Sequence, residues 1–223
     1  MADPILSVLL GIPAYGGLMR AETAACYLEL GHALASAEDR FRFAGVKIVD
    51  TQPIDRVRNM LLEEARALDV DWLLMIDADC WVRGTAEEPA GYQLLRMISE
   101  ADRRNAVIVG PHVWARDGRE IMTYQRLGSR LCGTITINVS GSPSVNVTSG
   151  YMHTASAIST SIMAINVKRL PVGFTFKFAD VSEDLFFCRL VEEADQLGPD
   201  RILVDGRVHT SHMGRPAPRH YDP

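Results

Sequence analysis

The sequence has no two cysteines at metal-binding or redox spacing. Cys26, Cys80, Cys132 and Cys188 are scattered along the chain. That excludes a frame of Cys-x-x-Cys units and suggests buried thiols in a reducing compartment. No apolar run approaches the roughly 18 residues of a membrane span. Residues 5–12 form a run only as long as a strand, with no basic segment before it, so neither a signal peptide nor a membrane span is expected. The expected location is the cytoplasm, and the sequons at Asn138 and Asn146 are read as accidental. The loop after the first apolar run carries neither a Gly-x-Gly-x-x-Gly fingerprint nor a Walker loop, which removes support for those two nucleotide sites. A net charge of −5 argues against a broad nucleic-acid surface. Internal repeats and long linkers are also missing.

Hydrophobic residues make up 47% of 223 positions, enough for a sizeable core. The first half alternates short apolar runs with helical spacing. Residues 7–13, 43–49, 72–76 and 106–110 read as strands; 19–37, 54–68 and 91–104 read as helices. In the first helix, Ala24, Leu28 and Ala35 are expected to face inward. Such alternation predicts an α/β fold with a mostly parallel sheet flanked by helices. A smaller mixed-sheet region is expected after Pro111, with a hairpin over 134–139 and 144–148. Residues 156–167 read as one strand, 185–194 as a helix capped by Ser182, and 201–208 as the last strand.

The chain is organised around Asp77-Ala78-Asp79, where a fully apolar strand stops at two acids. Such a strand delivers its end to the carboxyl edge of the sheet, where ligands bind. Two carboxylates on one face of an extended chain repel each other unless a cation lies between them. Oxygen ligands of this kind suit Mg²⁺ or Mn²⁺ carrying a phosphate. A strand ending in a solvated acidic turn would present the same residues. Arg56, Arg58 and Asn59 crowd the start of the second helix, where anions are favoured. Glu183-Asp184 opens a late helix, a position that capping alone would explain. His212 follows the last strand. His32, His112, His153 and His220 lack such context and read as ordinary surface or loop residues.

These motifs, in this order, resemble a GT-A-type glycosyltransferase, in particular the Anp1/Mnn9-like and phage-encoded members. Arg56-Val57-Arg58-Asn59 followed by Trp72 to Asp79 is similar to their helix and Asp-x-Asp strand. Ile12-Pro13-Ala14-Tyr15 resembles their nucleotide loop. Ser161 to Ile165 with Ser182-Glu183-Asp184 resembles their acceptor side, and His212-Met213-Gly214 their late metal histidine.

The resemblance implies one Rossmann-like GT-A domain over 1–223, with a nucleotide-sugar half at about 1–111 and an acceptor half at about 112–223. It implies a UDP- or GDP-sugar donor and Mn²⁺ or Mg²⁺ held by Asp79 and His212. His209 competes for that metal position. Asp77 would act at the metal or on sugar hydroxyls. Ile12, Pro13, Ala14, Tyr15 and Asn59 would contact the nucleotide, with Arg56 or Arg58 on the β-phosphate. Asp184 or Glu183 would meet the acceptor: as general base if the enzyme inverts, or as an orienting group if it retains, the outcome slightly favoured. The acceptor is left open among a glycan, a protein and a modified DNA base. Arg116, Arg119, Arg126, Arg130, Arg215 and Arg219 are read as a solvated face. The alternatives are a nucleotidyltransferase or other metal-phosphate nucleotide binder, and a non-catalytic scaffold.

Overall fold

The computed structural model describes residues 4–14, 18–114, 121–127, 130–133, 151–208 and 210–212. Its centre is a seven-stranded sheet. Strands β1 (Leu6–Pro13), β2 (Phe41–Val49) and β3 (Trp72–Ile76) pair in parallel. A short strand, β4 (Cys80–Val82), leaves this sheet. Next come β5 (Ile108–Pro111), β6 (Thr123–Leu127), β7 (Arg130–Gly133), β8 (Met152–Thr154), β9 (Ala157–Ile158), β10 (Ile162–Asn166), β11 (Ile202–Asp205) and β12 (Thr210–His212). The main sheet runs β2-β1-β3-β10-β5-β11-β8. Strands β10 and β8 run against their neighbours, so the sheet is mixed though largely parallel.

Helices cover both faces. Strand β3 is buried at every position, and its side chains alternate between two cores. Trp72, Leu74 and Ile76 pack with α1 (Ala21–Ser36) and α3 (Ala90–Arg103). Leu73 and Met75 pack with α2 (Ile54–Ala67) and α4 (Glu183–Glu192). An uninterrupted apolar run is what a strand covered on both faces requires. No helix among the described residues is long and apolar enough to cross a membrane.

Three expectations are corrected. In α1 the buried face is Thr23, Cys26, Leu30, Ala33 and Leu34, while Leu28 is 77% exposed and Ala35 is exposed. This helix is apolar on more than one side, so spacing alone does not select the face. Residues 156–167 form two strands, because Ser159 Oγ accepts from Ser161 N (3.2 Å) and turns the chain. Residues 201–208 end as a strand at Asp205, whose Oδ1 accepts from Arg207 N at 3.0 Å, an Asx-type turn. A further strand, β12, follows. Strands β6 and β7 pair antiparallel; the hairpin expected over 134–139 and 144–148 lies outside the described residues, as do the sites at Asn138 and Asn146.

Packing between α1 and α3 yields a prediction. A Cβ on Gly91 would lie 2.5 Å from the Glu29 carbonyl oxygen, whereas one on Gly31 meets nothing within 4 Å. Gly91→Ala should destabilise the protein by about 1–3 kcal/mol through overpacking. Gly31→Ala should stabilise it by about 0.5–1 kcal/mol through helix propensity. Urea unfolding of the two variants checks the opposite signs.

Candidate functional site

The site is built where β1 and β3 end. Asp77 N donates to Ser161 O at 2.8 Å, which stops β3 against the start of β10. Cys80 N donates to Asp77 O at 3.0 Å, closing a turn over Ala78 and Asp79. The chain then enters β4, which pairs antiparallel with β12 so that Cys80 lies opposite His212. This register brings His212 Nε2 to 3.5 Å from Asp79 Oδ2. The other ring nitrogen, Nδ1, lies 3.0 Å from the Trp114 carbonyl oxygen. A carbonyl only accepts, so the bond places a proton on Nδ1 and makes Nε2 the lone-pair nitrogen when the ring is neutral.

Ligand atoms of Asp79, Cys80 and His212 all lie within 4.8 Å of one another. A carboxylate and an oriented imidazole fit a divalent ion of the Mn²⁺ type. The Cys80 thiol fits less well. It is fully buried, and burial pushes its pKa up, with the charges of Asp77 and Asp79 adding to the effect. Its sulfur is also a softer donor than the oxygen and nitrogen ligands that Mn²⁺ prefers.

Asp77 is occupied differently. Arg58 lies on the inward face of α2, only 3% exposed. Its Nη2 donates to Asp77 Oδ1 and Oδ2, each at 3.1 Å. Its Nη1 donates to Glu183 Oε1 at the start of α4. Its Nε has no partner among the described residues. Burial raises the pKa of Asp77; Arg58 opposes this and Asp79 adds to it. Burial likewise raises Glu183, again against Arg58. Asp184 is less buried, and its Oδ1 accepts from the Ser182 hydroxyl and from Leu185 N (2.8 Å). Ser182 is thus the N-cap by position, but its hydroxyl turns to Asp184 instead of a helix N–H.

Asn59 faces a loop of its own protein. Its Nδ2 donates to Phe176 O at 2.9 Å, and its Oδ1 accepts from Phe176 N (2.8 Å) and Thr175 Oγ1 (2.7 Å). Phe176 in turn stacks on Phe187 of α4, with ring centroids 4.0 Å apart. The amide expected to meet a nucleotide is engaged at both ends by this loop. Arg56 is exposed at the start of α2. Ile12, Pro13 and Ala14 are buried at the carboxyl end of β1. Tyr15, His209, Met213 and Gly214 lie outside the described residues, as do Arg116, Arg119, Arg215, Arg219, His220 and the side chains of Arg126 and Arg130. His112 lies in a loop, one of the two places read for it, but it is buried, with Nδ1 3.0 Å from Thr123 Oγ1, and burial lowers its pKa to about 4.

Sequence reasoning missed the residues that α1 sends beneath the acidic turn. Arg20 N donates to Ala78 O at 2.9 Å, and Thr23 Oγ1 to Cys80 O at 2.8 Å. The Tyr27 hydroxyl lies 2.7 Å from the Ile76 carbonyl and 3.0 Å from that of Gly11, joining the ends of β3 and β1. Polar residues on the inward face of a helix, at 23 and 27, were the available signal.

No protein-family model matches the sequence, and no curated protein matches it. A solved structure does share its fold. A197 from STIV superposes with a TM-score of 0.58 at 10% identity, over 93% of this chain and 86% of that one. A UTP-bound UGPase from Acinetobacter baumannii gives 0.48 at 9% identity, over 95% and 89%. The architecture is an α/β fold with a mixed, largely parallel seven-stranded sheet flanked by helices and small extra sheets.

The raised Glu183 carboxyl sets a pH dependence. A group whose folded pKa is raised stabilises the fold fully below its unfolded value, and this is lost as pH rises through the folded value. The stability difference between wild type and Glu183→Gln should therefore shift against wild type as pH rises from about 4.5 to 7. Urea denaturation across that range measures it. A difference that shifts toward wild type would mean that attraction to Arg58 outweighs burial.

Proposed function

We propose that the protein transfers a sugar from a nucleotide-diphosphate sugar to an acceptor hydroxyl, in a reaction that depends on Mn²⁺ or Mg²⁺. The observation that carries this reading is the Asp79–His212 pair at the end of β3, with the imidazole oriented by Trp114. Asp79 and His212 would hold the ion, which supplies Lewis-acid neutralisation of the leaving diphosphate. Pro13 and Ala14 border the nucleotide side, with Tyr15 beyond them. Arg56 is the better candidate for the β-phosphate, because both outer nitrogens of Arg58 are taken by carboxylates. Asp77 borders the donor sugar.

Asp184 is the residue proposed to meet the acceptor, with Glu183 withdrawn into its pair with Arg58. In an inverting reaction Asp184 would take the acceptor's hydroxyl proton. In a retaining one it would orient that hydroxyl. A glycan, a protein side chain and a modified DNA base all offer such a hydroxyl. Residues 1–111 would serve the donor and 112–223 the acceptor.

A second reading, nucleotidyl transfer, is favoured by one observation. Arg20 follows the first strand and its backbone N–H donates to Ala78 O, which ties the segment after β1 to the acidic turn, while its guanidinium meets Glu22. Calorimetry separates the two. A glycosyltransferase should bind one UDP- or GDP-sugar in the presence of Mn²⁺, and excess EDTA should abolish the binding. A nucleotidyltransferase should prefer a nucleoside triphosphate, and a scaffold should bind neither. Full donor binding in EDTA would sink the metal-dependent reading.

For Asp184 the informative substitution is Asp184→Asn. It should lower kcat by roughly a hundredfold if the carboxylate acts as base. It should be nearly silent if the residue only accepts from Ser182 and Leu185 at the start of α4, since the Asn side-chain oxygen accepts the same two hydrogen bonds. Donor affinity should stay unchanged in both cases, and product stereochemistry by NMR assigns the base or the orienting role.

A further inference from the structure

The two acids of the Asp-x-Asp turn do different jobs. We infer that Asp77 is not a metal ligand: Arg58 is a positioning residue that holds it off the Asp79–His212 pair and, with the same guanidinium, anchors the start of α4. The inference rests on the metal reading of that pair and assigns roles within it.

The geometry carries the assignment. Both oxygens of Asp77 face one nitrogen of Arg58 at 3.1 Å, so the carboxylate is held broadside to the guanidinium. An oxygen already accepting a charge-assisted hydrogen bond has less to offer a cation. Asp79 has a different partner, with Oδ2 3.5 Å from His212 Nε2. Asp77 does not belong to the group of ligand atoms that lie within 4.8 Å of one another, although it is only two residues from that group.

Arg58 in turn is locked. It is buried at 3% exposure among Val57, Leu61 and Leu62 on the inward face of α2. A buried guanidinium is tolerated only where carboxylates compensate it, and both of its outer nitrogens are used for that. The next residue, Asn59, fixes Thr175 and Phe176. One turn of α2 therefore sets both the donor-side carboxylate and the helix that presents Asp184. Lysine could not reproduce this, because its ammonium lacks the planar fork.

The test is Mn²⁺ binding by calorimetry and by EPR, without nucleotide. Asp79→Asn should weaken binding at least tenfold. Asp77→Asn keeps the size of the side chain and can still accept from Arg58; it should change the affinity less than threefold. Arg58→Met removes the competing cation and releases Asp77 toward the ion, so it should tighten binding several-fold. A purely structural role for Arg58 would leave binding unchanged or weaken it. Adding Asp77→Asn to Arg58→Met should erase the gain.

The outcomes are distinct. If Asp79→Asn binds Mn²⁺ as wild type does, the metal reading itself fails. If Asp79→Asn loses binding and Asp77→Asn loses as much, the metal reading stands and this inference is overturned. Should Arg58→Met not fold, the Asp77→Asn arm still decides.

Discussion

A guanidinium buried on one helix and shared by two carboxylates is the constraint around which the site is arranged. Arg58 comes from α2, Asp77 from the end of β3, and Glu183 from the start of α4. Three separate elements meet at one charge. Removing an ionic group from water costs several kcal/mol even after relaxation, so this cluster does not form unless all three elements are in register. The trio holds two acids and one base. Burial raises the pKa of both carboxyls against the attraction of Arg58, and the charge of Asp79 adds to the rise at Asp77 and that of Asp184 at Glu183. Asn59, Phe176 and Phe187 reinforce the same junction with neutral contacts.

A second set of contacts works from the opposite face. Helix α1 sends Thr23 and Tyr27 under the acidic turn, where they satisfy carbonyls at the ends of β1, β3 and the Asp77–Cys80 turn. Buried carbonyls left unpaired would be costly. The turn is thus fastened from below by hydroxyls and from the side by Arg58. Its own backbone bonds, to Ser161 and within the turn, complete the frame. A carboxylate held by such a frame can be directed by the backbone alone, which is how two acids so close in sequence come to face different partners.

Much of the fold was legible because the signals were strong. The run Trp72 to Ile76 is apolar at every position and forms the buried central strand as read. Helix α2 was legible from Val57, Leu61 and Ala65, all buried. The failures have physical causes. The face of α1 was misread because apolar residues lie on more than one side of it. The breaks at Ser159 and Asp205 depend on side chains bonding to nearby backbone, which apolar spacing does not register. The reversed direction of β10 and β8 is a matter of long-range pairing that no local pattern encodes. For the site, the residue types were readable but their partners were not. Nothing in Arg-x-Arg-Asn says that Arg58 points inward and Arg56 outward, yet that difference decides which of them can reach a ligand.

The pairing of β4 with β12 has a consequence for how the protein comes together. His212 and the carbonyl that orients it stand 98 positions apart in the chain, and the acidic turn lies earlier still. The Asp79–His212 pair does not exist in any early fragment of the nascent chain. It is completed only when the segment after β11 returns to lie beside β4. Contacts of such long sequence separation form late, after the loop-closure entropy has been met. A chain stopped before this strand could keep its large sheet and both helical layers and still have only half of the proposed ion site. Occupancy of the site would then report whether synthesis and docking had reached completion.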